Sequence, residues 1–487
     1  MQHHFEYLKL AEHWHFVSDC YIGASKIKSR KRAELYLPPL RRERAEAELY
    51  DGFSPHFELR KGMAAYENFF RPVIDDIAGL MQKNEPVVKF GIKSDDESAE
   101  EVQAIRWYGN QFNDGLKGLK ARLNHNQVLF GRYGLLLDIV TDAQGLNPQF
   151  SITEYPALKI LDGETCGESL KWVLLDESTT VFNSDTKMHE PVARRRVLGI
   201  DANGRYYQSV LESVNALDIP DWASFDLLNP PPEITAYPCY KGKYLDFIPF
   251  TVCNVNRLGF NEWQSPPYED VARIAVNNYQ IDSIYKQALL NHATPTLVVS
   301  NAAKESNDIY LGGVIWAKGS GAFPVDVKLL ETSGEGIAEM REAKKAGKDA
   351  LRYTSIRDLL DGAGANATGE AIKLRTATGT AAIAAIDTAG ALAIEEQLVF
   401  ASDWSGASHA QSMDRIEFRA DTSYLGAEVQ LPSVVSLLEL NRETGTLSDE
   451  ALYRLLDRSV PGVLPTFEDN EKQKTARSAP SSAEPSE

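Results

Sequence analysis

Apolar residues recur at three- and four-residue spacing along Tyr7–Tyr21, and again at Met63, Tyr66, Phe70, Ile74, Ile77 and Met81. That is the stripe of a helix with one buried face. The second stripe predicts a helix over Phe57–Gln82, in which Pro72 marks a kink or the true start. Between the two, Leu35-Tyr36-Leu37-Pro38-Pro39 reads as an extended break. Ser98–Trp107, with Ser98 as N-cap, and Gly115–Phe130 read as two further helices. Gly131 and Gly134 then stop the helical pattern, and the apolar run Leu135-Leu136-Leu137 suits a buried strand.

From Pro148 to Phe250 the pattern turns to β. Phe150–Tyr155, Leu170–Leu175, Val192–Ile200, Tyr206–Val214 and Ile234–Tyr240 are expected strands. Asp201-Ala202-Asn203-Gly204 carries the Asn-Gly signal of a tight hairpin, because both residues tolerate positive φ. Pro230-Pro231-Pro232 is a stiff connector, and Phe247–Val252 closes the region.

The next pattern is unusual. Ser265 is the expected N-cap of a helix with Pro266 at its first position and Glu269 and Asp270 in its positive first turn. Helical spacing runs through Val271, Ile274, Asn278, Ile281, Tyr285 and Leu289 until Pro295. Three short strands follow, Thr296–Ser300, Gly313–Ala317 and Val325–Leu330. A charged helix then spans Gly334–Leu360, and Asp361–Ala367 cannot easily be helical. Thr368 caps a final long helix to Trp404, rich in alanine and glycine, spanning about 50 Å. Small residues let backbones approach closely, so this helix should be packed on several sides. A strand at Arg415–Arg419 and two short helices, Leu431–Asn441 and Ser448–Arg458, come last, before a Ser/Pro/Glu-rich tail at Glu468–Glu487 expected to be disordered.

Composition narrows the function. The 487 residues suffice for two to four domains, and 43 % hydrophobic residues are enough to fold most of the chain. With 51 Lys+Arg against 69 Asp+Glu the formal charge is −18, so the chain as a whole should repel DNA, although DNA could pass through it without sticking. The four cysteines, Cys20, Cys166, Cys239 and Cys253, are scattered and read as free thiols of a reducing compartment. The first residues lack the basic-then-apolar pattern of a secretion signal. Thr380–Val399 could be mistaken for a membrane span, but Asp387, Glu395 and Glu396 would each cost about 3 kcal/mol there.

Chemistry is hard to place. Gly364 and Gly369 have a phosphate loop's spacing, but Glu370 and Ala371 stand where Lys and Ser/Thr are needed. Gly362-x-Gly364 lacks the third glycine of a dinucleotide turn and follows a helix instead of a strand. His13 and His15 are two apart on a helix and face different ways, so they suit hydrogen bonding better than a metal. Metalloprotease HExxH and hydrolase GxSxG motifs are absent. No catalytic, cofactor or metal residue is expected. On Gly334–Leu360 the interleaved charges fit a solvated helix with pairs such as Glu342/Lys345, Lys345/Asp349 and Asp349/Arg352, against the alternative of a positive stripe facing DNA. Arg194-Arg195-Arg196 alternates across a strand and forms no continuous patch.

The order of these elements resembles the portal proteins of tailed double-stranded-DNA bacteriophages. Asn366-Ala367-Thr368-Gly369-Glu370-Ala371-Ile372 is similar to the Ser/Thr-Gly-x-Ala start of that family's long helix. Ile248-Pro249-Phe250, Pro266-Pro267-Tyr268 and Asn277-Asn278-Tyr279 resemble the approach to its first stem helix, and Ala293-Thr294-Pro295-Thr296-Leu297 the exit from it. Tyr36-Leu37-Pro38 before a Tyr-containing helix fits the same subfamily.

The resemblance implies an α+β portal fold: a wing over 1–264, a first stem helix over 265–292, a β-containing clip over 293–332 and a second stem helix over 333–360. A tunnel loop over 361–367, a long wing helix with a closing strand over 368–428, a short helical crown over 429–466 and the tail complete it. The tunnel loop would be Asp361, Gly362, Ala363, Gly364, Ala365, Asn366 and Ala367, and its join to the long helix Thr368, Gly369 and Ala371. Candidate channel cations are Lys344, Lys348, Arg352 and Arg357, although they lie among acids and the loop has no basic residue. The clip's partner surface would include Tyr310, Trp316 and Phe323.

The implied protein is a structural ring, usually of twelve copies, at a capsid vertex of the virion, assembled in the host cytoplasm, and not an enzyme. Its partners would be duplex DNA without sequence specificity, the terminase large subunit, a head–tail adaptor, and the major capsid and scaffolding proteins, with no cofactor and no membrane. The rival readings are another head–tail protein such as a ring adaptor, and an enzyme with an unrecognised α/β site. If Gly369 is needed where subunits crowd at the loop-to-helix join, Gly369→Leu should impair ring closure or DNA packaging; normal particles from that mutant would refute the assignment.

Overall fold

The computed structural model describes residues 4–90, 112, 114–140, 148–167, 169–183, 187–213, 225–255, 257–293, 296–302, 314–319, 324–330, 334–354, 369–406, 412, 416–422 and 424, with the side chains of 369–380 excluded. The helix expected at Ser98–Trp107, both crown helices, the tail and the tunnel loop lie outside these residues. The chain divides into two compact units, Met1–Ala420 and Asp421–Glu487. The first is described below.

It opens with a helical layer: α1 (Phe5–Ile22), α2 (Ala24–Ile27), α3 (Ala33–Tyr36), α4 (Arg41–Leu49), α5 (Pro55–Met63) and α6 (Phe70–Met81). Ser54 caps α5 by accepting the Phe57 N–H at 3.1 Å, with Pro55 at the first helical position. The single helix expected over Phe57–Gln82 is therefore two, separated by an extended strap over 64–69, and Pro72 sits in the first turn of the second. The strap is extended because side chains from distant helices bond its backbone, as described below.

Strand β1 (Val87–Phe90) and α7 (Gly115–Phe130) follow, and α7 stops at Gly131 in the left-handed region (φ 78°). Next come β2 (Arg132–Val140), β3 (Gln149–Pro156), β4 (Ile160–Cys166), β5 (Ser169–Asp176), β6 (Thr179–Asn183), β7 (Met188–Ile200) and β8 (Tyr206–Ser213). A hairpin forms there, pairing Ile200 with Tyr206, but through a five-residue loop over 201–205 in which Gly204 (φ 74°) takes positive φ and Asn203 does not. Asp201 holds the loop by accepting the Asn203 and Arg205 N–H groups. Ile234–Tyr240 is not one strand but β9 (Thr235–Ala236) and β10 (Cys239–Tyr240); Pro238 between them has no N–H to donate to a ladder. After β11 (Lys243–Tyr244) and β12 (Phe250–Asn254), the sheets have orders β12-β2-β3 and β4-β5-β7-β8-β9, with β6 on β7.

The helix expected to be capped by Ser265 begins later, as α8 (Glu269–Ala293). Pro267 disfavours the helical region at Pro266, so this pair forms a turn closed by Glu269 N–H to the Pro266 carbonyl at 3.3 Å. The order then matches expectation: β13 (Thr296–Ala302), β14 (Val314–Lys318), β15 (Asp326–Leu330), α9 (Glu335–Thr354), α10 (Gly369–Ser405) and β16 (Ile416–Arg419), which pairs with β1.

The main core lies where α10 and α7 cover the β12-β2-β3 sheet. Ile394, Leu398 and Trp404 of α10 meet Leu119 and Leu123 of α7, Leu135 and Leu137 of β2, and Phe418 of β16. The helices approach closely at Gly390, where an added Cβ would lie 2.6 Å from Leu123 Cδ2, 2.7 Å from Gln127 Oε1 and 2.8 Å from Asn124 Oδ1. All three neighbours are fully buried and cannot swing away. Gly→Ala within a helix normally gains about 1 kcal/mol. Here overpacking of about 1–3 kcal/mol should outweigh that gain, so Gly390→Ala is expected to lower the Tm. An unchanged or raised Tm would contradict this packing.

Candidate functional site

The helices α8 and α9 form an antiparallel pair: Asn278 of α8 lies against Gly347 of α9, and Asp282 against Lys344. A Cβ at Gly347 would fall 2.1 Å from Asn278 Oδ1, so the glycine lets the Asn278 side chain lie against α9 and a larger residue would require it to move. Between the two helices in sequence stands the sheet β14-β13-β15. Its central strand pairs in parallel with β14, Val299 opposite Trp316, and antiparallel with β15, Val299 opposite Val327. A helix, a small sheet and a returning helix are thus present as the sequence pattern predicts.

The pair is fixed to the N-terminal layer by buried charge. Asp282, 1 % exposed, accepts from Lys344 at 2.5 Å, Lys286 at 3.0 Å and the Ala65 N–H at 2.7 Å. Glu67, on the same strap, takes Lys348 at 2.7 Å and Lys344 at 3.4 Å. Lys286 also donates to the Met63 carbonyl at 2.9 Å, and Lys28 to that of Ala64. Burial by itself would raise the Asp282 carboxyl, but the bonds from Lys344, Ala65 and Lys286 outweigh it and hold the group below its ordinary 3.8. Glu67 is lowered in the same way against its own burial, by Lys348 and Lys344. Lys344 is raised by Asp282 and Glu67 despite burial.

A second clamp holds the middle of α8. Arg60 makes a two-bonded pair with Glu43 at 2.7 and 2.8 Å, both side chains buried, and donates to Ser283 Oγ at 3.2 Å and the Pro38 carbonyl at 2.9 Å. Gln280 donates to the Tyr36 carbonyl at 2.9 Å. Of the break expected over Leu35–Pro39, Leu35 and Tyr36 close the short helix α3 and only Leu37–Pro39 is non-helical. The Tyr36 and Pro38 carbonyls make this stretch a docking segment for α8. His13 is hydrogen-bonded to Glu269 at 2.8 Å, the role expected for it over metal binding.

The long helix α10 has 37 residues, about 55 Å, with Gly369 as its first residue and Ala371 in its first turn. Beneath it Asp387, fully buried, meets Lys120 of α7 at 2.5 Å and accepts from Asn124 at 2.8 Å. Glu395 accepts the Phe418 N–H at 2.7 Å, and Trp404 donates to the Lys243 carbonyl at 3.1 Å. None of the described helices is long and apolar enough to cross a membrane.

The expected site residues fall as follows. Lys344 and Lys348 face carboxylates of their own chain, Asp282 and Glu67. Arg352 lies in α9 with its side chain undescribed, and Arg357 is outside the described residues, as are Thr368, Tyr310 and Phe323. Trp316 is half-buried on the edge strand β14. Sequence reasoning missed Asp282, Glu67 and Asp387 as organising groups. For Asp387 the available signal was an acid on an otherwise apolar helix face, shared with Ile383, Ala391 and Ile394. Among the described residues no cluster of His, Cys, Asp and Glu could hold a metal ion.

No protein-family model matches the chain, and no curated protein matches it in sequence. Among solved structures it is similar to a chain in the virion of a native gene transfer agent particle, at 14 % identity and a TM-score of 0.37, covering 85 % of this chain and 95 % of that one. It is also similar to chains in the neck of the empty particle computed with C6 symmetry (13 %, TM-score 0.38, 85 % and 95 % covered) and of the native particle computed with C12 symmetry (13 %, 0.37, 84 % and 94 %).

Removing one side of a buried ion pair leaves the other uncompensated, so Asp282→Ala should destabilise the protein by about 3 kcal/mol or more in urea unfolding. Asp282 titrates below its ordinary 3.8 when folded, so its contribution is complete above that pH and is lost as the pH falls through the lower folded value. The stability gap between wild type and Asp282→Asn should therefore close as the solution is acidified below 3.8. A gap independent of pH would contradict the network.

Proposed function

We propose that this chain is the portal of a tailed double-stranded-DNA phage or phage-like particle. In this reading it forms a ring, of twelve copies by resemblance, at the capsid vertex of the virion and does no catalysis. DNA enters and leaves through the ring's channel. The terminase docks on the β14-β13-β15 module, and adaptor, capsid and scaffolding proteins bind elsewhere.

The observation that carries this reading is the succession α8, three-stranded sheet, antiparallel α9, then the 37-residue α10. A helix pair that presents a small sheet at its far end suits a stem and clip. Two physical features agree with it. Lys344 and Lys348 are paired inside the chain, which suits a passage that DNA crosses without adhering. On α10 the exposed positions from 381 to 392 are Ala381, Ala382, Ala385, Thr388 and Leu392, an uncharged face on a strongly acidic protein. Copies carrying −18 each repel, and an uncharged small-residue face is where that repulsion is weakest and approach closest.

Electron microscopy of the purified full chain, alone and with its scaffolding or capsid protein, tests the proposal. Rings with a central channel are expected. Particles that remain single chains under all these conditions would overturn it.

A further inference from the structure

One segment runs against the acidic character of the chain. From 26 to 44 it carries Lys26, Lys28, Arg30, Lys31, Arg32, Arg41, Arg42 and Arg44 against two carboxylates, Glu34 and Glu43. Glu43 is buried in its pair with Arg60 and contributes no negative charge to the surface. Four of the cations hold the segment in place: Lys28 bonds the Ala64 carbonyl, Arg32 approaches Asp19 at 3.5 Å, Arg42 pairs with Glu46 at 3.2 Å, and Arg44 donates to the Pro39 carbonyl at 3.1 Å. The other four, Lys26, Arg30, Lys31 and Arg41, are exposed and have no carboxylate partner among the described residues. Arg32 also lines a cavity of about 500 Å³, where His13 and Arg273 are bonded to Glu269 and Glu12 stands nearby, so the cavity itself adds no cation excess. There burial, followed by Arg32, lowers the His15 pKa.

We propose that this segment is a contact face for the phosphate backbone of duplex DNA, separate from any channel. Charge further away than about 8 Å is largely screened at physiological salt, so the local cation excess acts despite the −18 of the whole chain. The segment's backbone is already pinned, so binding orders little beyond the four free side chains. Duplex DNA carries about one charge per 1.7 Å, and cations that neutralise it gain by releasing condensed counterions. An acidic protein segment has a lower charge density and yields a smaller gain. Arginine also matches phosphate geometry with two parallel hydrogen bonds. Nothing here reads base edges, so binding is independent of sequence. The face acts on single chains and does not require the ring, although in a particle the two would coexist.

The test uses the full chain and a fluorescent random-sequence duplex, with affinity measured across salt concentrations. Four contacting cations predict a log–log salt slope of about −4. Arg30→Glu/Lys31→Glu/Arg41→Glu should weaken binding at least tenfold. The control Lys89→Glu/Lys117→Glu/Lys171→Glu changes global charge equally at exposed sites and should weaken it far less. Should the reversal variant not fold, by circular dichroism, the Gln versions at the same three positions replace it. No duplex binding by wild type, equal loss in both triple variants, or displacement of duplex by polyglutamate at equal charge would each overturn the proposal. Microscopy of the same samples reads ring formation separately, so failure of one reading is distinguishable from failure of the other.

Discussion

A single buried carboxylate sets the geometry of this fold's most informative region. Asp282 takes hydrogen bonds from three parts of the chain: Lys286 of its own helix, Lys344 of the returning helix, and the backbone of the strap at Ala65. A group that is 1 % exposed must be satisfied where it stands, because the penalty for a lone buried charge is several kcal/mol. The strap therefore cannot become helical, although its apolar spacing favours a helix. The two helices also cannot slide past each other without losing the Asp282–Lys344 pair and the packing of Asn278 against Gly347.

The long helix obeys the same rule. Its length and small residues give it little preference for any neighbour. Asp387, fully buried, must find Lys120 and Asn124, and Gly390 admits α7 just one turn further on. Larger apolar residues, Ile394, Leu398 and Trp404, then complete the core over the β12-β2-β3 sheet. Small side chains set how close the helices come, and the buried ion pair sets their register.

Charge elsewhere is managed locally. The run Arg194-Arg195-Arg196 forms no basic patch: Arg194 pairs with Glu212, Arg195 with Asp176, and Arg196 with Asp138 and Glu177. In a chain with excess carboxylates, a cation on a strand or helix usually finds one within reach. The segment from 26 to 44 departs from this because, of its two acids, Glu43 is buried against Arg60 and only Glu34 is left at the surface.

The sequence by itself determined the order and type of most described elements. Strands β4 and β6 carry no expected signal, but the apolar runs that mark β2, β3, β5, β7 and β8, the chain reversal at Gly204 and the three-to-four spacing of α7 and α8 are local preferences that tertiary contacts did not overturn. So did the succession of helix, small sheet, helix and long helix, since each element announces itself by its own spacing and breakers. Tertiary structure decided where side-chain partners from afar compete with local pattern. The split of Phe57–Gln82 depends on Asp282, more than 200 residues away, and β1 exists only because β16 pairs with it. The fates of Lys344 and Lys348 were undecidable from α9, because their partners Asp282 and Glu67 lie on other elements. Local spacing fixes what a segment can be. Burial decides which charges must meet, and that requires the chain to be folded.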